Sequence, residues 1–135
     1  MAISKRLIRQ AIESLSEIDG ILTDPANLVE DAFLLAFAFP HDNDYLAACA
    51  STRRALERLA AREVDASSLK YEFEGWESYY YQHRVGQDVK ATCRIMYRRM
   101  SSGIEVKGFG HRRIPADFYE RMAAATRRAR QRPAR

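Results

Sequence analysis

An α+β domain is the fold class this sequence predicts, on three observations. Apolar residues recur at spacings of three and four through the first sixty or so positions. From Leu69 the texture changes to alternation, with tyrosine, phenylalanine, valine, isoleucine and threonine frequent. A proline at position 115 then opens a closing amphipathic stretch. Helices first and strands second give N-terminal helices packed on an antiparallel sheet of three to four strands, with a C-terminal helix. At 135 residues, 47% of them hydrophobic and 30% charged, the chain has the size and composition of one soluble globular domain.

The elements follow in order. Ile3, Leu7, Ile8, Ala11, Ile12, Leu15 and Ile18 form one apolar stripe, which predicts a helix from Ile3 to about Leu22 that Gly20 loosens or ends. Thr23-Asp24-Pro25 supplies a cap and a proline at the first helical position of a second helix, Ala26 to Phe39, stopped by Pro40. Its apolar half, Ala32–Phe39, also fits a buried strand; helix is the reading adopted. His41–Asp44 reads as a solvated loop. A third helix, Tyr45 to Arg62, turns Tyr45, Leu46, Cys49, Leu56 and Leu59 inward, and Asp65–Ser68 is a polar linker. Expected strands are Leu69–Phe73, Glu77–Val85, Thr92–Arg99 and Ile104–Phe109. Turn residues Val85-Gly86-Gln87-Asp88 and Ser101-Ser102-Gly103 join the later ones into a meander. The closing helix spans Ala116–Arg128, and the last ten residues, with five arginines, form a flexible tail over 126–135.

Several function classes are excluded by composition. Cys49 and Cys93 stand alone without motif spacing, which argues against a disulfide scaffold and for a reducing cytoplasm. No apolar run approaches a membrane span, and no signal-peptide core follows the opening residues. His41, His83 and His111 lack partners at ligand spacing, so no metal and no cofactor is implied. Gly108-Phe109-Gly110 lacks the lysine and the strand-to-helix context of a phosphate loop, and no nucleophile elbow occurs. Charge is distributed unevenly: residues 1–81 hold 8 Lys/Arg against 14 Asp/Glu, and residues 82–135 hold 14 against 4. The C-terminal half therefore suits an anionic partner, nucleic acid above all.

On the strand Thr92–Arg99, Cys93, Ile95 and Tyr97 share one face and Arg94, Met96 and Arg98 the other. Arg94 thus projects from mid-sheet, where folding needs no long cation. Gly110-His111-Arg112-Arg113 follows the next strand, His83 and Arg84 precede a turn, and Tyr119 lies on the closing helix. Together these groups suit a phosphodiester. Arginine forks hold nonbridging oxygens, histidine moves a proton near neutral pH, and a tyrosine donates one if cations lower its pKa. Tyr79, Tyr80 and Tyr81 offer rings for unpaired bases.

The stretches Tyr80-Tyr81-Gln82-His83-Arg84-Val85, Cys93-Arg94-Ile95-Met96-Tyr97, Ile104 to Arg112 and Phe118-Tyr119 resemble the C-terminal half of RelE/ParE-superfamily toxins. In that family an R-[ILV]-x-Y strand precedes a hydrophobic strand ending in G-[HK]-R, with a tyrosine a few residues on. The likeness covers about a third of the chain. It implies a helical pair on a strongly curved antiparallel sheet and, in the RelE-like branch, cleavage of mRNA in the ribosomal A site by attack of the nucleotide's own 2′-hydroxyl. Arg94 matches the phosphate-contacting strand arginine, Arg112 the arginine that stabilises transition-state charge, and Tyr119 the C-terminal tyrosine. His111 takes the basic position before that arginine, and His83 and Arg84 the basic pair of the preceding strand. The expected site is thus Arg94, Arg112, His111, Tyr119 and His83 for catalysis, with Arg84, Lys90, Arg98, Arg113 and Tyr81 contacting RNA. The family begins with a strand before its helical pair. Here that strand is either missing or hidden in Ala32–Phe39, which makes 1–40 a helical extension of a single domain over 1–135.

The resemblance further implies the toxin of a toxin–antitoxin pair, held by an antitoxin covering Tyr79–Tyr81 or the closing helix. Two other functions compete: a ParE-like inhibitor of DNA gyrase that cleaves nothing, and a non-catalytic RNA- or protein-binding module.

Overall fold

The computed structural model describes residues 2–63, 67–68, 75–84, 90–114 and 117–123. Three helices lie on one face of a five-stranded sheet, and a helical segment over 118–123 lies on the other. The α+β class is as the sequence implies, but the order of helices before strands is broken by a short strand, Ile21–Thr23, that precedes two of the three helices.

Helix α1 runs Lys5–Ser16 and buries Ile8, Ala11 and Leu15; the Ser4 hydroxyl accepts from Leu7 N at 3.2 Å, capping its start. It ends six residues short of the expected Leu22. Gly20 turns the chain with φ +83°, and Ile21–Thr23 becomes strand β1, paired in parallel with residues 104–106. The apolar spacing continues through Ile18 and Ile21, but the backbone bonds of β1 go to the sheet. Asp24 accepts from Ala26 N and Asn27 N at 2.9 and 3.3 Å, and Pro25 opens α2, Pro25–Ala38. Ala32–Phe39 is therefore helix up to its cap residue, not a strand. Helix α3, Asp42–Ala60, follows after His41 and absorbs most of the expected loop.

Strands β2 (Ser67–Ser68), β3 (Glu77–Tyr81), β4 (Cys93–Met100) and β5 (Gly103–His111) complete the sheet in the order β1-β5-β4-β3-β2. Neighbours among β2 to β5 are antiparallel; the sheet is mixed only because β1 enters parallel to β5, the two helices α2 and α3 lying between them in sequence. β3 stops at Tyr81, not Val85, because His83 N turns to the Thr92 hydroxyl at 3.3 Å. The expected strand Leu69–Phe73, the turn at 86–88, positions 116 and 124–128 of the closing helix and the tail 126–135 lie outside the described residues.

One core joins α1, α2, α3 and the helix-facing side of the sheet, through Leu15, Leu35, Tyr45, Leu59, Ile95 and Phe109. Residues 1–40, expected as a helical extension, contribute Ile3, Ile8, Leu15, Leu28 and Leu35 to the same core. A β-bulge places Lys107 opposite the Met96/Tyr97 step, so that Met96 pairs with Gly108 and Tyr97 with Val106. The extra residue resets the alternation of β5, which lets Ile104, Val106 and Phe109 all reach the core. On the opposite face Met96, Phe118 and Met122 make a second, smaller cluster. No helix among the described residues is long and apolar enough to cross a membrane.

Candidate functional site

The outer face of the sheet, the one turned away from α1–α3, carries Tyr80, Arg94 and Gly110 in a single row across β3, β4 and β5. Side chains in such a row stand about 5 Å apart. Arg94 is 7% exposed. Its Nη2 donates to the Tyr80 hydroxyl at 2.5 Å, and its guanidinium lies 4.2 Å from the Tyr80 ring centre, 4.6 Å from Tyr119 and 5.8 Å from Phe118. A cation roofed by three rings is held by their quadrupoles without being neutralised. Arg112, two positions beyond Gly110, lies 5.5 Å from the same Tyr80 ring; its Nη1 donates to Ala91 O at 3.1 Å. Neither arginine meets a carboxylate among the described residues, and the buried Nε of each has no hydrogen-bond partner there. Two guanidinium groups therefore share one tyrosine ring with no carboxylate among the described residues to neutralise them, an arrangement suited to an oxyanion.

Tyr119 is brought over Arg94 by the segment 118–123, whose anchor is Arg121. Arg121 Nη1 donates to His111 O at 3.2 Å and Nη2 to Phe109 O at 3.0 Å. Its Nη2 also stands 3.7 Å from Asp31 Oδ1, both side chains being nearly buried, while Asp31 Oδ2 accepts from Phe109 N at 3.1 Å. β1 pairs with β5 only as far as Val106, so Phe109 and His111 present an edge with no strand beside it among the described residues; Asp31 and Arg121 occupy its donor and acceptor groups. Gly110, at φ +149°, makes room for this clamp: a Cβ there would stand 2.5 Å from Arg121 Nη2. At Gly108 a Cβ would meet Met122 and Asp31.

The histidines face the other way. His83 and His111 flank the Phe39 ring on the helix side, with centroids at 4.5 and 5.6 Å. His83 Nδ1 is 2.9 Å from the Thr92 hydroxyl. His111 Nδ1 accepts from Arg113 N and Ile114 N, which leaves the proton of the neutral ring on Nε2. Burial, assisted at His111 by His83 and three nearby arginines, holds both imidazoles below their ordinary value. Burial has the opposite effect on Tyr119, raising its hydroxyl against the pull of Arg94, so the expected lowering by cations does not occur.

Of the expected RNA contacts, Lys90 and Arg113 are exposed. Arg84 is instead paired with Asp44 at 2.8 Å, and the pairing holds that carboxyl below its usual range. Arg98 is paired with Glu105 at 2.6 Å and packed 4.5 Å from the Trp76 ring. Tyr81 is buried on the helix side, its hydroxyl 2.6 Å from that of Thr52, and presents no ring to a base. β3 alternates, so Tyr80 alone of the three consecutive tyrosines reaches the outer face. Sequence reasoning missed Asp31 and Arg121. The signal for Asp31 was there, a lone carboxylate on the stripe Leu28, Ala32, Leu35. Among the described residues no three His, Cys, Asp or Glu side chains gather as a metal site.

No protein-family model, no curated protein and no solved structure matches this chain.

Proposed function

We propose that the protein is a RelE-like endoribonuclease, a cytoplasmic toxin that cleaves mRNA in the ribosomal A site and is neutralised by a cognate antitoxin. The observation that carries the reading is the pair of guanidinium groups, Arg94 and Arg112, that lie 4.2 and 5.5 Å from the Tyr80 ring and meet no carboxylate among the described residues. A strand followed by two helices and an antiparallel set of strands, the order β1-α2-α3-β2-β3-β4-β5, supports the resemblance, with α1 preceding it.

In this mechanism the RNA's 2′-hydroxyl oxygen attacks phosphorus and the bond to the 5′-oxygen breaks, leaving a cyclic phosphate and a 5′-hydroxyl. Arg94 and Arg112 hold the nonbridging oxygens as their charge grows. Tyr119, protonated at neutral pH, donates to the leaving oxygen, and the attacking hydroxyl's proton passes to solvent water, since His111 and His83, the expected acceptors, lie on the other face of the sheet. In a cell-free translation extract, wild-type protein should generate new mRNA 5′ ends at codon positions. The Arg94→Ala/Arg112→Ala variant should do so at least about a hundredfold more slowly. Equal cleavage by the two proteins would overturn the assignment.

One observation favours a second reading. Both imidazoles lie on the Phe39 side of the sheet, across from the guanidinium pair. Proton acceptor and phosphate site are then divided between two faces, which fits binding without cleavage, as in a ParE-like gyrase inhibitor. Inhibited supercoiling by purified gyrase, with mRNA left intact, would select it.

A further inference from the structure

A second cluster of cations lies on the opposite side of β3. Between the C-terminal half of α3 and the helix-facing side of that strand is a cleft of about 210 Å³ lined by Ser51, Arg54, Arg58, Tyr79, Tyr81 and Gln82. Arg54 and Arg58 stand one helical turn apart on the same face. Their neighbour Arg53 is paired with Glu57 and bonded to Ser14. Arg54 and Arg58, in contrast, meet no carboxylate among the described residues. Ser51 orients the first of them: its hydroxyl accepts from Arg54 Nη2 at 3.2 Å and donates to His83 O at 2.9 Å. Beside the arginines the rings of Tyr79 and Tyr81 stack with centroids 6.4 Å apart and an interplanar angle of 11°. Tyr79 is only half-buried, and the Gln82 side chain adds an amide at the rim.

We propose that this cleft binds the phosphate ester of a nucleotide, Arg54 and Arg58 holding the phosphate and Tyr79 lying against the base. Two guanidinium groups one turn apart match an oxyanion with several acceptors, and a tyrosine beside them offers the flat face on which any base stacks. An acidic peptide would satisfy the charges and leave the aromatic wall unused. The cleft faces α3 and the Arg94/Arg112 pair faces away from it, so this inference stands apart from the nuclease reading.

The test is fluorescence anisotropy on the full chain with a labelled single-stranded RNA hexamer, and adenosine monophosphate as competitor. Arg54→Ala/Arg58→Ala should weaken RNA binding roughly ten- to a hundredfold and make the salt slope shallower by about one. Arg6→Ala/Arg9→Ala on α1, with the same loss of charge, should change affinity by no more than about twofold. Competition by the mononucleotide identifies a free nucleotide as the ligand, and binding of the hexamer alone identifies the RNA backbone; both outcomes support the cleft. Wild-type affinity in Arg54→Ala/Arg58→Ala, or an equal loss in Arg6→Ala/Arg9→Ala, overturns it. Arg54→Gln/Arg58→Gln repeats the measurement should the alanine variant melt early. Arg94→Ala/Arg112→Ala, run in parallel, reports on the outer face, so either site can fail while the other survives.

Discussion

Asp31 and Arg121 show how much one buried pair decides. Asp31 accepts from Phe109 N, Arg121 donates to Phe109 O and His111 O, and the two stand 3.7 Å apart with both side chains nearly buried. Removing one partner leaves a buried charge and an unmet backbone group, whereas the intact pair contributes little beyond its own desolvation. Asp31→Ala should therefore cost about 3 kcal/mol in urea unfolding; a loss under about 1 kcal/mol would mean that the edge is held by something else. The histidines give a pH dependence. His83 and His111 are held below 6.5 in the folded chain, so the unfolded chain binds protons first as the pH falls. Their contribution is complete above about pH 6.5 and is lost below it. The urea midpoint should drop between pH 7.5 and 5.5, a window in which ordinary carboxylates stay ionised. His83→Asn/His111→Asn should narrow that drop, and an unchanged drop in the double variant would remove the histidines as its cause.

Elements here are set by their ends. α2 begins where Asp24 and Pro25 dictate, and Asp24→Ala should lower stability by about 1 kcal/mol through loss of the cap; a thermal melt identical to wild type would contradict it. β1 is the opposite case. Three residues carry too little pattern to be recognised as a strand, and Ile21 extends the stripe of the preceding helix. Only pairing with Ile104, Glu105 and Val106 defines it. The bulge at Lys107 was equally invisible, because a one-residue offset between β4 and β5 depends on both strands at once. That offset places Phe109 inward and Gly110 outward, beside Arg94.

At the scale of the molecule, the acidic first half and basic second half divide along the sheet less cleanly than along the chain. Arg84 and Arg121 are paired with Asp44 and Asp31 of the helices, while Arg94 and Arg112 are not paired with any described carboxylate. Part of the asymmetry is thus internal neutralisation and part faces outward. The single core leads to a further expectation: a chain starting at Gly20 loses Ile8 and Leu15 from that core and should give no cooperative unfolding transition in near-UV circular dichroism. A sharp transition in the truncated protein would mean that the core forms without α1.

By itself the sequence determined the helical first half, the capped start of α2, the strands Thr92–Arg99 and Ile104–Phe109 in nearly their final extents, and the projection of Arg94 from the face opposite Ile95. These are local properties: period, cap chemistry and alternation act within a turn or a strand. Only tertiary structure decided that β1 joins the sheet in parallel, that Tyr81 faces Thr52 and Tyr80 faces Arg94, that the histidines part from the arginines around Phe39, and that Asp31 reaches Arg121 across ninety positions. Each of those outcomes is a pairing between distant segments, and its energy exists only once both partners are in place.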